Sequence, residues 1–147
     1  MNAIGQSMIR HALVVLLVGF VGCAAKKDTR KAEYYGLVEK WEAAYGGSDA
    51  TAAYQATLAL IDFTKKMEQD DEPLVDIPLA MIWNYARLGL LAEHLGKKEE
   101  AARCFTIAVR YAKRKYPNES NAMTSEAGLR WALEQMDTPE KIAWRRK

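Results

Sequence analysis

The apolar residues of this chain recur at steps of three and four over most of its length, the period at which side chains share one face of an α-helix. The pattern is clearest over 82–116. Met81, Tyr85, Leu88, Ala92 and Leu95 mark one stripe, Ala101, Phe105, Ala108 and Ala112 mark another, and Leu95-Gly96-Lys97-Lys98 lies between them as a turn. Two stripes joined by so short a link must bury each other, which predicts an antiparallel helix pair. Tyr34, Leu37, Val38, Trp41, Ala44 and Tyr45 predict an earlier helix, stopped by Gly46-Gly47, with Ser48 or Asp49 placed to cap the next. That next helix carries Ala53, Ala56, Leu60, Phe63 and Met67 on one stripe and Tyr54, Leu58 and Ile61 on a second, so it is expected to pack on two sides. Glu68-Gln69-Asp70-Asp71-Glu72-Pro73 ends it as an acidic loop in water, and Asp76 with Pro78 opens the central pair. After the break at Pro117, Leu129, Ala132, Leu133 and Met136 predict a fifth helix, and 142–146 a short final one. No alternation of apolar and polar residues bounded by turns follows Cys23. The expected class is therefore all-α, five helices plus a short C-terminal helix.

The order of small and large residues in the central pair narrows this further. Leu88-Gly89, then Gly96, then Ala101, Phe105 and Ala108 resembles a tetratricopeptide (TPR) repeat, in which small residues let two helices approach and a large one fills the gap. The resemblance covers 82–108. The flanking helices match in length and turn rather than in signature, although Gly128 and Trp131 echo Gly89 and Ala92. A single repeat cannot bury its own face, so the flanking helices are expected to act as caps. What the resemblance implies is TPR-like antiparallel helical hairpins that bind a peptide or protein. In that family the matching face of the first helix lines a concave groove, so Trp83, Ala86, Leu90, Glu93 and His94 are expected to face the ligand, with Trp83 as aromatic anchor. The residues themselves equally allow Leu79, Trp83, Ala86 and Leu90 to pack on the hairpin at 33–67, and the pattern leaves both arrangements open.

Near the start, Arg10 and His11 precede an apolar run at 12–21, too short to span the roughly 30 Å hydrocarbon core of a bilayer. It suits a secretory signal, and Phe20-Val21-Gly22-Cys23 resembles the lipobox of bacterial lipoproteins, with Phe20 where Leu is usual. By that resemblance the chain is cut before Cys23, whose thiol receives a diacylglycerol and whose new amino group takes a further acyl chain such as palmitate. The expected organisation is then a signal peptide at 1–22, a lipidated tether at 23–32 and a TPR-like domain at 33–147. Ala24, rather than Asp, after the lipid-bearing cysteine implies the outer membrane in a bacterium with two membranes, facing the periplasm. An uncut signal-anchor, leaving Cys23 an ordinary buried cysteine, and a plain cleaved signal are the alternatives.

Composition adds mainly exclusions. Without 1–22, 125 of the 147 residues remain, a length that suits one domain. Loss of Arg10 with that segment leaves 20 Lys and Arg against 19 Asp and Glu, so global charge argues neither for nucleic acid nor for an acidic substrate. Cys104, the one thiol left after lipidation, has no disulfide partner and is expected to be buried as a small hydrophobe. His94 is the sole histidine past the signal, and neither a metal-ligand spacing, nor a nucleophile with base and orienting acid, nor a glycine-rich phosphate loop is present. No catalytic residue, metal or cofactor is expected; an unrecognised hydrolase would require carboxylates converging near His94.

Arg110, Lys113, Arg114 and Lys115 crowd the end of the second central helix, where the helix dipole favours cations. With Arg145, Arg146 and Lys147 they also suit a membrane face or an anionic envelope polymer, and Trp144 beside them suits a membrane interface; a solvated tail is the plainer reading. Taken together, the expectation is a membrane-anchored, protein-binding adaptor or assembly factor of the bacterial cell envelope. The alternative is a structural or inhibitory lipoprotein, for example against an envelope hydrolase or toxin, that binds through a surface other than the groove.

Overall fold

The computed structural model describes residues 29–69, 74–118, 122–138 and 141–146, with only the backbone described for Ala122 and Arg146. The expected signal segment, Cys23 and the expected tether up to residue 28 lie outside the described residues, as do 70–73 of the acidic loop, 119–121, 139–140 and Lys147. The chain divides into two compact units, 1–35 and 36–147. All of 29–46 is helical; 29–35 belong to the first unit, where the Tyr34 and Tyr35 rings meet edge to face with centroids 5.7 Å apart. The tether expected over 23–32 therefore has its last residues, 29–32, in helix. Thr29, Arg30, Lys31 and Ala32 have no apolar period, so periodicity cannot register them, yet Arg, Lys and Ala all favour helix.

The second unit opens with helical residues 36–46 (α1) and continues with α2 (Ala50–Met67), α3 (Ile77–His94), α4 (Lys98–Lys115) and α5 (Glu126–Met136). Short 3₁₀ turns, Ala122–Thr124 and Ala143–Arg146, precede and follow α5. Among the described residues there is no strand, and the helices form antiparallel hairpins. The final helix expected over 142–146 is one 3₁₀ turn, short enough that its missing α-helical hydrogen bonds cost little.

Local chemistry sets the boundaries. Asp49, rather than Ser48, caps α2, its Oδ1 accepting from the Thr51 and Ala52 amides at 2.9 and 3.1 Å. Asp76 caps α3 by accepting from the Leu79 amide at 3.1 Å, and Pro78 stands in the first turn, where no intrahelical donor is needed. The α3–α4 turn closes as a Schellman motif: the Lys97 amide donates to Ala92 O at 2.8 Å and the Gly96 amide to Glu93 O at 2.9 Å. Gly96 sits there at φ +75, left-handed backbone that glycine adopts without steric cost.

Helix α3 runs between α2 and α4 and is buried nearly all round. Met81, Ile82, Leu88, Leu91 and Ala92 are each 2% exposed or less, as are Ala101, Phe105, Ala108 and Ala112 of α4. The close approach centres on Gly89, where an added Cβ would lie 2.7 Å from Phe105 Cε2. α2 does pack on two sides, but its core also holds Thr57 and Thr64, fully buried polar residues. Each hydroxyl donates to the carbonyl four residues back, Ala53 O at 2.8 Å and Leu60 O at 2.7 Å, which removes most of the cost of burying it.

Candidate functional site

The five residues expected to face a ligand are on α3, and their environments differ. Ala86 has no exposed surface; it is a core residue, and the expectation that it meets a ligand is corrected. Trp83 and Leu90 are half-buried, while Glu93 and His94 are exposed at the C-terminal end of the helix. Glu93 is engaged from α5: Arg130 Nη1 donates to its Oε2 at 2.7 Å, and Arg130 Nε donates to Glu126 Oε1 at 2.9 Å. Burial alone would lower the Arg130 pKa, but the hydrogen bonds to Glu93, first, and to Glu126 hold it above its ordinary value. The same guanidinium lies 3.9 Å from the centre of the Phe105 ring. His94 meets the Trp144 ring edge to face at 5.3 Å. Among the described residues no group of three or more His, Cys, Asp or Glu gathers to hold a metal ion.

Beside this strip lies a buried cluster that periodicity did not reveal. Asp137, 5% exposed, accepts from Arg87 Nε at 2.8 Å and Nη2 at 3.1 Å, and from the Tyr45 hydroxyl at 2.9 Å. Its backbone carbonyl accepts from Arg145 Nη1. The Arg87 guanidinium stands 5.1 Å from the Trp41 ring and 5.6 Å from the Tyr45 ring, which stack on each other at 5.1 Å. Burial pulls the Arg87 pKa down, but the hydrogen bonds and charge of Asp137 outweigh it and leave it raised. Burial, then the charge of Asp137, pushes the Tyr45 phenol well above its usual range. Trp144 is 2% exposed, set against Tyr45 and His94, with its backbone N–H on Gly47 O at 2.9 Å. Its expected suitability for a membrane interface is thus corrected: the indole fills the core. The signal for this cluster was present, since Arg87 is the one charged residue between Ile77 and Ala92. A lone cation in an apolar helix needs a buried partner.

The outer face of α4 is open. Arg103, Ile107, Arg110 and Arg114 follow at steps of four, three and four and so form one line. A depression of about 430 Å³ lies between this line and the end of α2, lined by Glu68, Tyr85, Ile107, Arg110, Tyr111 and Arg114. A second, of about 380 Å³, shares Ile107 and Arg110 and continues toward Arg103. Tyr85 and Tyr111, both in its lining, stack at 6.4 Å, and the Tyr111 hydroxyl donates to Glu68 Oε2 at 3.2 Å. Arg114 pairs with Glu68 at 3.6 Å, whereas Arg103 and Arg110 form no ion pair among the described residues.

Two further positions bear on function. Cys104 is buried, and burial, with the nearby Glu100 charge, pushes its thiol up to about 11, the reverse of an activated nucleophile. Trp131 does not repeat the buried role of Ala92: it is 60% exposed, because no further α-helix follows α5 among the described residues to cover it. No family model, curated protein or solved structure matches the chain.

Proposed function

We propose that this chain is a lipid-anchored, TPR-like adaptor of the bacterial cell envelope that recognises a protein partner, by binding rather than by catalysis. The observation that carries the reading is the seat of Phe105 on Gly89 in the α3–α4 hairpin, the same small-against-large pairing on which the TPR resemblance rests. Acyl chains on Cys23 would hold the domain at the membrane, each buried methylene contributing about 0.8 kcal/mol, with more than one chain needed for lasting attachment. Confinement to a surface raises the effective concentration of the domain near membrane-bound partners. The outer membrane, facing the periplasm, is the proposed site on the strength of Ala24.

A second reading is favoured by a specific observation. Ala86 is in the core and Glu93 is engaged by Arg130, so part of the α3 strip is taken up, while the outer face of α4 offers open depressions. On this reading the partner docks on a surface other than the groove, as a structural or inhibitory lipoprotein requires.

Cell fractionation of the native chain and of Cys23→Ser, with mass measurement of the amino-terminal peptide, tests the anchor. The native chain is expected in the membrane pellet with an acylated Cys23, and the variant in the supernatant; equal partition of the two would remove the anchor. Trp83→Gln combined with Leu90→Gln separates the two surfaces. An α3 docking strip loses the partner and keeps its helix content, whereas a packing strip loses helix content.

A further inference from the structure

We infer that the line Arg103, Ile107, Arg110 on the outer face of α4 is a docking site for an acidic amphipathic helix of a protein partner, an inference that rests on the second reading above. Arg103 and Arg110 are seven residues apart, two helical turns, or about 10 Å along the axis. Both are exposed and have no ion-pair partner among the described residues, and between them Ile107 offers a half-buried apolar foothold. A guanidinium is planar and forked, so it takes a carboxylate through two parallel hydrogen bonds. A partner helix that carries carboxylates two turns apart, with apolar side chains between them, presents the same repeat in complementary charge. An extended segment fits less well, because residues on one of its faces recur near 7 and 13 Å.

The surroundings select among anions. Glu68 is paired with Arg114 and Glu100 with Lys97, so Arg103 and Arg110 stand as two separate cations among balanced pairs, not as the continuous positive stripe that a nucleic-acid backbone follows. A flat bilayer surface is poorly matched to the two depressions that adjoin at Ile107 and Arg110. Carboxylates two turns apart on a narrow rod meet those two cations one for one.

The test uses the full chain in neutral detergent and a labelled, alanine-based helical peptide with glutamates two turns apart and leucines between them. A second peptide carries glutamine in place of glutamate. Fluorescence anisotropy is expected to show the glutamate peptide binding at least about tenfold more tightly than the glutamine peptide, with the difference shrinking as salt is raised. In the Arg103→Gln, Arg110→Gln double variant the preference is expected to vanish while the circular dichroism spectrum is unchanged. Equal affinity for the two peptides, or a preference that survives in the variant, overturns the inference. So does binding to vesicles of anionic phospholipid that needs Arg103 and Arg110 when the glutamate peptide does not bind. The anchor is read separately by the Cys23→Ser fractionation, so loss of this site with the anchor intact leaves the adaptor reading on the α3 strip, and the converse result leaves the site without the membrane.

Discussion

Phe105 is fully buried with Gly89 on one side and the Arg130 guanidinium 3.9 Å from its ring centre on another. Alanine in place of Gly89 favours helix by about 1 kcal/mol. Its Cβ, however, would stand 2.7 and 2.9 Å from two ring carbons, and a ring held on both sides has little room to yield. Overpacking of this kind costs about 1–3 kcal/mol, so Gly89→Ala is expected to destabilise the protein by about 1 kcal/mol, read from the urea midpoint. A gain in stability would show that the ring moves freely. Gly89 and Phe105 were legible from the amino-acid order because a small residue facing a large one across a turn is a local pattern. The partner of Arg130 on α3 was not, since Glu93 lies 37 positions away and nothing in either helix names the other.

Helices α1, α3 and α5 meet at one buried carboxylate. Asp137 at the end of α5 receives Arg87 from α3 and Tyr45 from α1, and its carbonyl receives Arg145 from the last turn. Removal of one member leaves the other charge buried and unpaired, which costs about 3–5 kcal/mol, while replacement of both by apolar residues of similar volume costs far less. Asp137→Ala and Arg87→Met are each expected to lower the urea midpoint sharply. The Arg87→Met, Asp137→Leu double variant is expected to recover much of the loss, with a coupling of about 1–3 kcal/mol. Additive losses would mean that the clasp does not act as a unit. From the sequence, Asp137-Thr138-Pro139 reads as a helix stop and a new start, which the backbone bears out at Asp137; its second task as a buried acceptor depends on two distant helices.

For the molecule as a whole, the perturbed acids point to alkaline rather than acid sensitivity. Burial, with Glu100 as a further cause in each case, pushes the Cys104 thiol up to about 11 and the Tyr54 phenol up to about 12, and Tyr45 is raised as well. In each case the folded state favours the protonated form. Their contribution is therefore complete below the ordinary values of 9.0 for the thiol and 10.0 for the phenols and is lost as pH rises through the raised ones. The melting temperature, followed by circular dichroism, is expected to fall steadily from about pH 9 to pH 12. A flat profile over that window would contradict the assigned burial. On the acid side Asp76 is lowered, chiefly by its hydrogen bond with Lys115, so its contribution is lost as pH falls below the ordinary 3.8; because it is exposed, that loss is expected to be small.

Helix order and most boundaries, though not the helical start at 29–32, follow from properties each segment carries alone: a repeat of 3.6, an Asp that caps, a Gly that tolerates positive φ, a Pro that cannot continue. These act over a few residues and need no knowledge of neighbours. Which apolar stripe becomes core and which stays at the surface is a different kind of question, because it depends on whether another helix arrives to cover it. Ala86 and Trp144 went inward, Trp131 and the arginine line of α4 stayed outside, and Arg87 found Asp137, all through packing between segments far apart in the chain. Exposure is a property of pairs of helices, and a linear order of residues does not list the pairs.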